Sequence, residues 1–125
     1  MLIQNIKSYE DFQNYITKYK FVIVNISAIW CKPCMAIKPN LEKFISVISD
    51  LDIIYLKIDH SVYEEDSDFS TYFNLNKIPY FAFIKEKNIV DSFVSGDFKF
   101  VSKRLFDNIK SLTLSSYEFK KDDDF

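Results

Sequence analysis

Apolar positions follow two periods along the chain, and their alternation sets out an order of elements. Leu2 to Ile6 alternates as a short first strand. Ser8-Tyr9-Glu10-Asp11 has the character of a capped helix start, and Phe12, Ile16 and Tyr19 continue it at helical spacing to about Tyr19. Phe21 to Ser27 is an unbroken run rich in Val and Ile, as expected of a central strand buried on both faces. A helix from Cys34 to about Ser49 presents Ile37, Leu41, Phe44, Ile45 and Ile48 on one face, with Pro39 expected to kink it. Ile53 to Ile58 reads as a third buried strand, closed by Asp59-His60. Between Ser61 and Asn76, Glu64, Glu65, Asp66 and Asp68 precede Phe69, Tyr72 and Phe73, the pattern of a short helix with an acidic start. Tyr80 to Ile84 and Ile89 to Val94 are strands joined by a tight polar link over 85–88, which predicts a hairpin. After the turn Ser95-Gly96-Asp97, Val101, Leu105, Ile109 and Leu112 mark a last helix.

The order βαβαβαββα joins parallel strands through helices and ends in an antiparallel hairpin. It predicts an α/β domain over residues 1–112, a central mixed sheet of five strands flanked by four helices. Residues 113–125 lose the apolar period and end in an acidic run. They are expected to be a solvated terminus, with a partner-docking tail as the alternative.

Composition narrows the function classes. The chain has 125 residues, 48% of them apolar and 18% aromatic, which suits one packed domain and excludes a disordered segment. A single glycine means that most turns are built from Asn, Asp, Ser and Lys. A net charge of −2 offers no general attraction to phosphate backbones, so no nucleic-acid partner is expected. No apolar run is long enough to span a membrane, and the start Met1-Leu2-Ile3-Gln4-Asn5 lacks a basic region followed by an apolar one; the expected location is the cytoplasm.

The chemistry lies where a strand gives way to a helix. The two cysteines of the chain, Cys31 and Cys34, stand two residues apart in Trp30-Cys31-Lys32-Pro33-Cys34. A sulfur capping a helix N-terminus meets unpaired backbone N–H groups and the positive end of the helix dipole, both of which favour a thiolate. Cys31 is therefore the expected nucleophile. Cys34, one turn further in, is within disulfide reach and more shielded, which suits a resolving thiol. A structural pair and half of a zinc site are the other readings. Zinc wants four ligands, and His60 is the one further nitrogen donor, itself expected at the surface of a strand end, so no metal is expected.

Ser27-Ala28-Ile29-Trp30-Cys31-Lys32-Pro33-Cys34-Met35-Ala36-Ile37-Lys38-Pro39 resembles the active-site segment of thioredoxins, eukaryotic ones in particular, and Ile78-Pro79 resembles their cis-proline loop. The resemblance covers roughly residues 1–112 and implies the thioredoxin fold. It implies a protein-disulfide reductase without a cofactor of its own, acting on disulfide-containing client proteins and recycled by a flavin- and NADPH-dependent thioredoxin reductase. It also implies a cis bond before Pro79 that sets the Ile78 backbone beside the cysteines, where an extended client pairs as an added strand. Trp30, Ile78, Pro79, Ser95 and Gly96 are the expected substrate-binding residues.

Two departures concern redox tuning, for which Asn25, Lys32 and Pro33 are the expected residues. Family members carry a buried Asp six residues before the nucleophile, where this chain has Asn25, an amide that bonds but cannot act as a base. A slow resolving step is the expected consequence. Lys32 replaces the usual glycine between the cysteines, and its cation should favour the Cys31 thiolate. The competing class is a thioredoxin-fold scaffold or client-holding subunit of a larger assembly. A glutaredoxin is a third reading, opposed by the lack of the usual Pro-Tyr pair and of an evident glutathione-binding set.

Overall fold

A computed structural model describes residues 1–48 and 52–123, with side chains up to residue 111. Its five strands are β1 (Leu2–Asn5), β2 (Phe21–Ser27), β3 (Ile53–Asp59), β4 (Tyr80–Lys85) and β5 (Asn88–Val94). Its helices are α1 (Tyr9–Lys18), α2 (Lys32–Ser46), α3 (His60–Glu65), α4 (Asp68–Tyr72) and α5 (Phe98–Asp123). The sheet order is β1-β3-β2-β4-β5, with β1 and β2 parallel to β3 while β4 runs antiparallel to both β2 and β5. This is the expected mixed sheet.

Continuous burial of β2 follows from its place in the middle of the sheet, since it packs layers on both faces. Val22, Val24 and Ile26 enter one core with Ile54, Leu56 and Ile58, closed by Phe12, Phe69 and Phe73 from the helices on that side. Phe12 is its hub, with ring centroids 5.2 Å from Tyr72 and 5.3 Å from Phe73. Ile23, Ile53, Tyr55, Phe81 and Phe83 enter the other core, against Ile37, Leu41 and Ile45 of α2 and Val101 and Leu105 of α5. Asp91 on β5 receives a two-pronged bond from Arg104 of α5, at 2.8 and 2.6 Å, and another from Asn108 at 2.8 Å. Burial alone would raise the Asp91 carboxyl, but the bonds from Arg104 and Asn108 and the Arg104 charge outweigh it and hold it below its usual value.

The elements depart from expectation at four places. The helix expected within 61–76 is two short ones, because Asp66 adopts an extended backbone and its carboxylate accepts from Asp68 N at 2.9 Å, starting a new turn. The hairpin link shrinks to Glu86 and Lys87, whose φ of 49° and 71° place both in the left-handed region that a tight two-residue turn requires. The helix at the cysteines starts at Lys32, earlier than expected, and ends at Ser46 with Val47 as its cap, short of the expected end near Ser49. The backbone of α5 runs past residue 112 to Asp123, where the sequence places no proline or glycine to stop it. The expected docking of Leu112 concerns a side chain outside the described ones.

Candidate functional site

The end of β2 and the start of α2 build the site. Cys31 is the N-cap of α2, with extended φ and ψ of −88° and 109°, and its sulfur accepts from Cys34 N at 3.3 Å. Pro33 suits the first turn, where its missing N–H leaves nothing unpaired, and that turn carries no acidic residue to oppose negative charge at the cap. Cys31 and Cys34 are joined as a disulfide, their Cα atoms 5.2 Å apart. Both are buried, Cys31 at 7% exposure and Cys34 at 3%, so the less buried of the two is the cap residue. Lys32 and Pro33 lie exposed between them.

Three loops converge on this turn. The Ile78-Pro79 peptide bond is cis, and Ile78 O stands 3.9 Å from Cys31 Sγ. Ser95 N donates to Pro79 O at 3.3 Å, which ties the turn before α5 to the proline loop. Gly96 lies against Pro33: a Cβ built on it would come 2.7 Å from Pro33 Cβ, so this position admits no larger residue without displacement. Trp30 is 69% exposed and meets His60 edge-on, with centroids 5.5 Å apart. His60 in turn stacks on Tyr63, and its Nδ1 lies 3.4 Å from the Glu64 carboxylate. Burial raises the Tyr63 hydroxyl, which stays neutral. Trp30, Cys31, Pro33, His60, Tyr63 and Ile78 thus line a groove of about 620 Å³ beside the cysteines.

Behind the disulfide lies a second, smaller cavity of about 180 Å³, reached by Cys34, Asn25, Glu42, Tyr55, Lys57 and Asp59. Asn25 is buried and its Nδ2 donates to Tyr80 O at 3.3 Å. Lys57 pairs with Glu42 of α2 at 2.5 Å.

Every expected site residue is therefore placed. Trp30, Cys31, Lys32, Pro33, Cys34, Ile78, Pro79, Ser95 and Gly96 meet at one end of the sheet, and Asn25 sits behind them. His60 differs from its expectation: rather than standing free at the surface, it opens α3 and lies half-buried beneath Trp30. Glu42 and Lys57 were not foreseen. The signal for Lys57 was a lysine inside an otherwise apolar strand, in register with Asn25.

The thioredoxin family model matches residues 4–110. Thioredoxin-2 of Pyricularia oryzae is 29% identical over 78% of this chain and 54% of its own length. Thioredoxin-T of Drosophila melanogaster is 33% identical over 67% of this chain and 51% of its own length. The chain thus spans about half the length of these two relatives. The solved thioredoxin of Malassezia sympodialis superposes with a TM-score of 0.72 at 25% identity, over 86% of this chain and 93% of that one. The fold agrees with these likenesses, and the chain belongs to the thioredoxin family.

Proposed function

We propose that the chain is a thiol–disulfide oxidoreductase that reduces disulfides of client proteins through Cys31 and Cys34. The observation that carries this is the Cys31 sulfur, capping α2 and accepting from Cys34 N at 3.3 Å at the edge of a groove of about 620 Å³. In the dithiol state the Cys31 thiolate attacks a client disulfide, forming a mixed disulfide and releasing one client thiolate. Cys34 then attacks Cys31 Sγ; the Cys31–Cys34 bond forms and the second client thiolate leaves. The pair gives up two electrons in all, and a reductase returns them, with a flavin- and NADPH-dependent thioredoxin reductase the expected partner.

Ile78 offers backbone groups to an extended client, while Trp30 and Gly96 flank it. Lys32 favours the thiolate form of Cys31 by simple attraction. The domain spans residues 1–112 and works in the cytoplasm; among the described residues no helix is long and apolar enough to cross a membrane. Insulin reduction with dithiothreitol as electron source tests the reading. Turnover that vanishes in Cys31→Ser is the expected result. Turnover no greater than that of Cys31→Ser refutes it and favours the scaffold, whose partners would be retained when both cysteines are serine.

A further inference from the structure

Asn25 sits where thioredoxins place a carboxylate, but the wall of the cavity behind Cys34 is not without one. Lys57 stands in register between Asn5 of β1 and Asn25 of β2, so the strands beside it supply no counter-charge. Its partner comes from α2 instead: Glu42 Oε1, at 2.5 Å. Both side chains are half-buried and both line the cavity that Cys34 also lines. Tyr55, two residues before Lys57 on the same face, lines it too, and its hydroxyl is buried with no hydrogen-bond partner among the described residues. Burial raises that hydroxyl, and the nearby Glu42 charge raises it further, so it stays protonated. A cavity of about 180 Å³ with these polar groups in its wall has room for several waters.

We propose that Glu42, held in place by Lys57, accepts the Cys34 proton through water in this cavity and so supplies the base that Asn25 cannot. The proposal rests on the oxidoreductase reading above. In the resolving step the Cys34 thiol gives its proton to the water, which passes one to the Glu42 carboxylate. The Cys34 thiolate then forms the bond to Cys31 Sγ as the client thiolate departs, and the proton returns to solvent past the exposed part of Glu42. No further oxidant or reductant is needed. Apart from Asp59, the other polar groups facing the cavity are poorer acceptors. Lys38 and Lys57 are cations, while Asn5, Asn25 and Ser27 do not titrate. Asp59 is the other carboxylate there; its Oδ1 caps α3, accepting from Ser61 N at 2.9 Å and Ser61 Oγ at 2.7 Å, and the Asp59→Asn variant below separates it from Glu42.

The resolving step is directly readable with a small aromatic disulfide whose thiolate is coloured. The reduced protein releases that thiolate once as Cys31 attacks, and again in a first-order phase as Cys34 displaces it from Cys31. In Glu42→Gln the first phase keeps its rate, whereas the second slows about 100-fold near neutral pH. Its rate then climbs about tenfold per pH unit over the range where the wild type is level, because hydroxide has replaced the internal base. Asn25→Asp in the Glu42→Gln background restores the second phase by placing a carboxylate on the opposite wall, and Asp59→Asn alone leaves that phase as in the wild type. A Glu42→Gln second phase with the wild-type rate and pH profile overturns the proposal. So does a slowing that leaves the pH profile unchanged, that extends equally to the first phase, or that Asn25→Asp does not relieve. A wild-type protein with no second phase at all overturns the oxidoreductase reading, and this proposal with it.

Discussion

The two faces of the sheet are made by the same strands, one residue out of step, and they do opposite work. On the side of α1, α3 and α4, Val22, Val24, Ile26, Leu56 and Ile58 meet Phe12, Phe69 and Phe73 in an aromatic core without a buried charge. On the side of α2 and α5 the same strands begin with Ile23 and Ile53 and then turn polar toward the cysteines, through Tyr55, Asn25 and Lys57. The alternation of side chains along a strand confines that polarity to one face. The first face is packed dry with aromatic rings, and the second keeps a cavity lined by polar groups beside Cys34.

The largest effect belongs to the dry face. Phe12→Ala removes the hub ring from a fully buried site and should cost about 3–5 kcal/mol, read as a lowered urea midpoint. Disulfide exchange per folded molecule should stay unchanged; a loss of exchange without a loss of stability would break the division of labour. Gly96→Ala comes next, at about 1–3 kcal/mol, because its Cβ meets the closed ring of Pro33 at 2.7 Å rather than a side chain that swings aside. Client reduction should fall with it, and full insulin-reducing activity in this variant would show that the turn yields freely.

Asp91→Asn probes the polar rim of the second face, with an expected loss of about 1 kcal/mol at neutral pH once solvent screening of the half-exposed Arg104 is allowed for. The folded-state carboxyl is depressed, so its contribution is present above the ordinary carboxylate range near pH 4 and lost as pH falls through the lower folded value. The stability gap between wild type and variant, followed by denaturant melts, should close on acidification; a gap that widens would contradict the assigned cause. Tyr55→Phe should do least, within about 1 kcal/mol, since its hydroxyl has no protein partner among the described residues to lose. A thermal shift as large as that of Phe12→Ala would mean that the chamber is as tightly packed as the face opposite.

Much of this was legible wherever the signal was local. Phe21–Ser27 agrees with the expected strand residue for residue, because a β-branched run bounded by polar residues has little else to become. The cap at Cys31 was legible because strand, break and helical spacing follow one another within a few residues. What escaped depends on partners far apart in sequence or on side-chain competition with the backbone. Glu42 looks like an ordinary surface residue of α2, and only the docking of that helix brings it to Lys57, 15 residues on. The break at Asp66 rests on a single carboxylate choosing the next turn's N–H. His60 gains its place from Trp30, across a gap in sequence that no periodicity spans.

The capping role of Cys31 has an evolutionary side. Serine is among the better N-caps and alanine among the poor ones, with about 1 kcal/mol between them. At position 31 a sulfur-to-oxygen exchange therefore silences the chemistry while leaving α2 its cap and the groove its outline. A lineage carrying this domain has a short path from catalyst to pure binding protein: one atom changed, the shape inherited intact.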